Sequence, residues 1–280
     1  MTTPVSHRMY SPASYDSRVR ARGFTLIEMA VVLVVVSLVL GSLLVPLASQ
    51  VEQRKIEATE QALEQARDAL LAFAAVRGRL PCPAGMAGGR EVFTTSAAVG
   101  DCANFWGFLP AATLGLNPLD ADGYARDGWG GEVRDGSNFD QNRIRYAVRS
   151  ANVGSQNFVF TKTGGMRAAG MAAISTFADT NGLLFVCNAG GGGGGGTGCG
   201  TALTLTSEAV AVIWASGPNA ATGGLSVDEA ENPSPNGGSA DRIFVSRPRG
   251  AGTGAEFDDQ MVWVTPPILF QRMIAAGQLP

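Results

Sequence analysis

Residues 24–49 read FTLIEMAVVLVVVSLVLGSLLVPLAS, an apolar run broken only by Glu28 and a few hydroxyls. About 20 consecutive apolar residues suffice to span a bilayer as a helix, so the run predicts a transmembrane helix. Arg8, Arg18, Arg20 and Arg22 precede it, against Asp16 alone. The positive-inside rule then keeps residues 1–23 in the cytoplasm and sends the remainder across. A secretory signal would have a shorter apolar core closed by a small-residue cleavage site, whereas this chain runs on into helix. Glu28 is the anomaly. A carboxylate inside a hydrophobic span costs about 3 kcal/mol, so it is expected to have a partner and a role. The alternative on physical grounds alone is a helix-end glutamate reaching the headgroups.

The heptapeptide Arg22-Gly23-Phe24-Thr25-Leu26-Ile27-Glu28, leading into that apolar run, resembles the type III signal of type IV prepilins and type II secretion pseudopilins. The resemblance implies cleavage after Gly23 by prepilin peptidase, whose site would not admit a bulkier residue, and N-methylation of the new terminal Phe24. It implies further partners in other pilin or pseudopilin subunits, met through the N-terminal helix, and in inner-membrane lipid. The implied location is the bacterial inner membrane, crossed once, with the C-terminal domain periplasmic until a filament extracts the subunit. Glu28 becomes the fifth residue of the mature chain. In a staggered bundle it pairs with the Phe24 amine of a neighbour, which lowers the desolvation penalty of both charges and sets axial register. The mature chain of 257 residues is bulky for the repeating subunit of a slender filament, which favours a minor pilin or a pseudopilin over a major pilin.

Charge and residue counts exclude other classes. Without residues 1–23 the chain keeps 17 basic and 23 acidic residues, a net charge of −6, and its only lysines are Lys55 and Lys162. No basic stripe is left for nucleic acid. A filament-tip adhesin or DNA-uptake subunit carried by the same helix is the alternative function, and a DNA-uptake role would need such a basic face. The sole histidine, His7, lies in the leader, so the mature chain has no Ser-His-Asp or Cys-His site and no His-ligated zinc. No nucleophile motif is present, and no enzymatic activity is expected. Cys82, Cys102, Cys187 and Cys199 form no C-x-x-C pair and read as two disulfides in an oxidising compartment. Three connectivities are open, and pairing neighbours in sequence, 82 with 102 and 187 with 199, is the one preferred here.

Downstream the expected class is α+β: a long N-terminal helix packed on a small antiparallel sheet, with loop-rich, disulfide-stapled regions. The expected segments are a leader (1–23), a transmembrane and assembly helix (24–49), an amphipathic helix (50–79), an αβ-loop region (80–142) and a β-rich domain with a short terminal helix (143–280). Ile56, Leu63 and Leu70, with Thr59, Ala66 and Phe73 between them, predict one apolar helical face. Gly41 and Pro46 are expected to interrupt the helix. Strands are predicted at 143–148, 183–186, 209–215, 242–246 and 261–264. Thr265-Pro266-Pro267 reads as the start of a helix closed by Gly277. Asp127-Gly128-Trp129-Gly130-Gly131 resembles a pseudopilin turn that leads directly into a strand, but here residues 132–143 intervene.

The seven glycines at 190–196 have no lysine-serine or lysine-threonine after them and read as a flexible tether rather than a phosphate loop. Asp120-Ala121-Asp122-Gly123, with Asp127 nearby, has the look of a calcium loop without the glutamate an EF-hand needs. The resemblance to major pseudopilins, several of which hold calcium in their C-terminal loops, marks a second set in Asp241, Glu256, Asp258 and Asp259. A solvated turn is the ordinary reading of both, and no metal or cofactor is assigned. Asp228, Glu229 and Glu231 read as a solvated charge cluster in a loop.

Overall fold

A computed structural model describes residues 23–86, 88–130, 142–150, 152–153, 156–170, 184–190, 198–219, 226–232, 242–250 and 256–279, without the side chains of 42–48, 152–153 and 156–157. Residues 1–22 with His7, most of the polar insertion, glycines 191–196 and Asp241 lie outside the described residues. The chain divides into two units, residues 1–50 and 51–280. Helix α1, Leu26–Arg77, is helical through both Gly41 and Pro46, where the sequence predicted interruption. Its apolar side chains from Leu26 to Leu40 are exposed. Among the described residues no helix is long and apolar enough to cross a membrane.

In the second unit α1 becomes amphipathic. Thr59, Leu63, Ala66, Leu70 and Ala74 are buried, spaced three and four apart as one helical face requires, with Leu71 buried beside them. The predicted face begins well but drifts, because 3.6 residues per turn carries a seven-residue pattern around the helix. Ala74 therefore takes the last buried position, and Ile56 and Phe73 are only half-buried. Gly78, at φ +67°, ends the helix with its N–H on Ala74 O.

A four-stranded antiparallel sheet receives that face. Its order is β1 (Trp106–Phe108), β2 (Arg145–Val148), β7 (Ala211–Ala215), β9 (Gln260–Val264). Tyr146 pairs with Ile213, and Ile213 with Val262. Side chains alternate across a strand. Tyr146, Val148, Ala211, Ile213 and Ala215 accordingly join Leu63, Leu70 and the terminal helix residues Leu269, Phe270 and Met273 in one core. Ala147, Val212 and Trp214 enter a second core with Leu184, Val186 and Phe244. Both faces of the sheet are covered, which is why β2 and β7 are buried along their whole length.

The second core is completed by a three-stranded sheet ordered β6 (Thr204–Ala209), β5 (Leu184–Cys187), β8 (Ile243–Val245). Strand β5 runs antiparallel to β6 but parallel to β8, a departure from the antiparallel expectation. The long connection from β5 through β6 and β7 to β8 makes the parallel pair possible, since such strands need a crossover. Strands β6 and β7 are separated by Val210 alone, so one stretch of chain serves both sheets. A hairpin, β3 (Asn152–Val153) and β4 (Gln156–Asn157), lies apart. Short helices α2 (Ala111–Leu114), α3 (Gly165–Ala169) and α4 (Val227–Glu231) sit in connections, and α5 (Pro266–Ala275) closes the fold with proline in its first turn.

Two disulfides staple this architecture: Cys82 to Cys102 and Cys187 to Cys199. Beside the first, Arg79 makes a two-pronged ion pair with Glu91, 2.7 Å on each side, and stacks between Phe73 and Phe93. Tyr146 donates its hydroxyl hydrogen to Pro81 O at 3.0 Å. Together these hold the exit of α1 against β2.

Leu70 is fully buried where α1 meets the sheet. Leu70→Ala should lower unfolding free energy by about 2–5 kcal/mol in denaturant titration. Val76→Ala, on the exposed face, should change it by less than about 0.5 kcal/mol.

Candidate functional site

The N-terminal signal residues begin α1. Phe24 is 75% exposed. Thr25 N donates to Glu28 Oε2 at 3.5 Å, and Glu28 N donates to Thr25 Oγ1 at 3.3 Å. This is a reciprocal capping box: each side chain satisfies a backbone N–H that the first helical turn leaves open. Within the single chain Glu28 is therefore a helix-start residue as well as an isolated charge. Thr25 went unnoticed in the sequence, although the spacing Thr-x-x-Glu before an apolar run is the signal for it. The carboxylate also lies at the positive end of the helix dipole.

The Asp127 turn is the second feature, in the other unit. Residues 125–127 pair with 142–144 as a short ladder: Ile144 N donates to Ala125 O, and Asp127 N to Asn142 O. The ladder joins the two sides of the polar insertion, and the turn remains tied to β2. Asp127 Oδ1 accepts from Trp129 N at 2.9 Å, and its Oδ2 from Asn142 Nδ2 at 3.3 Å. Gly128 N donates to Thr59 Oγ1 at 2.9 Å, while Thr59 donates to Lys55 O. A Cβ on Gly128 would lie 2.1 Å from Lys55 O, so only glycine lets the turn touch α1 this closely. Arg249 covers the Trp129 ring and reaches Glu52 at 3.6 Å.

The two candidate calcium sets are placed differently. Asp120 Oδ1 accepts from Asp122 N and Tyr124 N, and its Oδ2 from Arg143 Nε at 2.8 Å. Asp122 accepts from the same guanidinium at 2.6 Å, and Arg143 stacks 3.9 Å over the Tyr124 ring. Burial works to raise the Asp120 carboxyl, but the Tyr124 N–H and Arg143 outweigh it and hold it below the usual value. The aspartate loop is an arginine-centred hub.

In the second set Asp259 is buried and accepts from Asn232 Nδ2 at 2.6 Å. Asp258 N donates to Glu229 Oε1 at 2.9 Å. Asp241 lies outside the described residues. Among the described residues no three carboxylate or cysteine side chains are grouped to hold a metal ion.

Glu229 departs from expectation. It is 3% exposed, in α4, whose N-cap Ser226 accepts its N–H, rather than in a solvated charge cluster. Asp228 is paired with Arg247 at 2.5 Å. The reason is tertiary: Asn219 and the Asp258 N–H supply the hydrogen bonds that make a buried carboxylate tolerable.

Residues 18–44 match the family model described as the prokaryotic N-terminal methylation motif. This is the signature of prepilin-type signals in type IV pilins and pseudopilins, and the chain carries it. No curated protein and no solved structure matches the chain.

Gly128→Ala should displace the turn from α1 and lower stability by roughly 1–3 kcal/mol. Loss of hydrogen-exchange protection at the turn and in residues 52–59 would show where the damage falls.

Proposed function

We propose that this protein is a structural subunit, a minor pilin or pseudopilin, of a type IV pilus-like or type II secretion filament. On this reading it is cut after Gly23 by prepilin peptidase, methylated at Phe24 and held in the inner membrane by residues 24–49 until assembly, and it performs no catalysis. The observation that carries the reading is the methylation motif at residues 18–44. Support comes from the adjoining helix, whose exposed apolar side chains have no cover among the described residues of their own unit and gain stability when enclosed by lipid or by neighbouring helices.

The capping box gives Glu28 a role before assembly. Cleavage beside Phe24 frees an amine next to Thr25, and a neighbour's amine then competes with the Thr25 N–H for the carboxylate. A free amine would bring full positive charge to the carboxylate, where the Thr25 N–H brings only a dipole, and the present carboxylate contact of 3.5 Å is long. Glu28 can exchange its local partner for a subunit contact at small cost.

Intact-mass measurement on membranes and on filaments sheared from cells tests this. The wild type should appear as methylated 24–280 in filaments, at trace level. Glu28→Val should keep that mass in the membrane while its share in filaments falls at least about tenfold, as loss of a buried charge pair implies. Gly23→Val should leave the uncut mass. A wild-type chain found only uncut, or Glu28→Val entering filaments normally, would overturn the reading.

A further inference from the structure

We propose that Asp127, Asp258, Asp259 and Glu229 form a proton-dependent latch that fastens the segment before β9, and the turn seated on α1, to the body of the domain.

Four carboxylates from three separate stretches converge here, and amides do most of the bonding. Asn142 Nδ2 donates both to Asp127 Oδ2 and to Gly217 O, at 3.3 and 3.2 Å. Gly217, at φ +63°, lies against Asp258 so closely that a Cβ there would be 2.2 Å from Asp258 Oδ1. Asn219 Nδ2 spans both oxygens of Glu229 at 3.2 and 3.1 Å, and Glu229 accepts the Asp258 N–H. Asn232 holds Asp259 with one hydrogen, donates also to Val245 O and accepts from Val245 N, fixing the end of β8. The chain of contacts thus runs from Thr59 on α1 through Gly128, Asp127, Asn142 and Gly217 to Asp258.

Its charge is poorly balanced. Among the described residues no arginine or lysine forms an ion pair with Asp127, Asp258 or Asp259. Asp258 Oδ1 is buried with no hydrogen-bond partner there. The charged groups that bear on Asp258 are Glu229 of α4, Glu256 of its own segment, Asp127 of the turn and, with opposite sign, Arg249 of the loop after β8. Asp259 faces Asp258 and Glu229, and Asp127 faces Arg126. Packed carboxylates of one sign in a dry setting share protons rather than all ionise.

Burial lifts Asp127 to about 7. It also lifts Asp258 to about 7, with Glu229 adding to the effect, and Asp259 to about 8. All three lie above the ordinary aspartate value of 3.8, so between that value and about 8 the folded chain binds more protons than the unfolded one. Stability is then full below the unfolded value, declines as pH rises through this window, and levels off once the folded carboxyls have ionised. Opening the latch is the local form of that loss: the 256–259 segment and the 127–130 turn loosen while the two cores remain packed.

The test is hydrogen–deuterium exchange of the full chain in detergent with a chelator present, between pH 6 and 9 and corrected for intrinsic exchange rates. Protection of peptides covering 126–130 and 256–264 should fall at least about tenfold across this range, as a group titrating through it predicts. Peptides in α1 from 63 to 74 should hold. In the Asp258→Asn, Asp259→Asn double variant, where Asp127 still titrates, the fall at 256–264 should be largely lost. The partly exposed Asp258→Asn alone, should the double variant not fold, should show a reduced one. Equal protection at both ends of the pH range in the wild type, or an undiminished fall in the asparagine variants, would overturn the latch.

Discussion

The buried face of α1, from Thr59 to Ala74, is the constraint on which the rest of the second unit depends. A four-stranded sheet has two faces to cover, and here helices α1 and α5 cover one while the three-stranded sheet covers the other. Leu63 and Leu70 each contribute about 1.5–3 kcal/mol by leaving water. More importantly, they set the level at which every other element must meet the helix. Tyr146 can reach Pro81 only because the end of α1 lies beside β2, and Gly128 can reach Thr59 only because the turn after residue 126 passes at the same level. Both contacts are polar tips on an apolar seam. They fix register where the apolar seam alone would tolerate sliding.

Arginine does in this interior what aliphatic side chains usually do. Arg79, Arg143, Arg145 and Arg149 are all buried, and each lies over an aromatic ring. Arginine is suited to this because its plane stacks on rings while its edge hydrogen-bonds, and because it is less strongly hydrated than lysine. The use of lysine at only two positions, Lys55 and Lys162, fits that pattern. Buried guanidinium groups supply countercharge for Glu91, Asp120 and Asp122. Among the described residues Asp127, Asp258 and Asp259 form no such ion pair, and this contrast distinguishes a fixed ion-pair hub from a site whose charge can change.

Features set by local pattern were legible in the sequence. Periodicity marked α1, β-branched runs marked β2, β5, β7, β8 and β9, and Thr265-Pro266-Pro267 marked the start of α5. The methylation motif was legible because its residues are contiguous. Strand β6, Thr204–Ala209, was not, because it is mostly exposed and polar and owes its existence to pairing with β5. Glu229 was misread for a related reason. Its neighbours in sequence are charged and small, and nothing local reveals that Asn219 and residue 258 close over it. The parallel pairing of β5 with β8 has no local signature either, since it depends on where a crossover returns.

The same contrast between local and distant determinants divides the two candidate sites. Glu28 finds its partner three residues away, in a helix start that needs no tertiary contact. Its charge is therefore satisfied locally, at the exposed end of a helix, and remains free to be recruited. Asp258 and Asp259 find hydrogen-bond partners 29 and 27 positions away in the sequence, in Glu229 and Asn232. Their environment exists only when both cores are assembled. Protonation at that site thus depends on the folded domain, whereas the contacts of Glu28 are made within one helical turn.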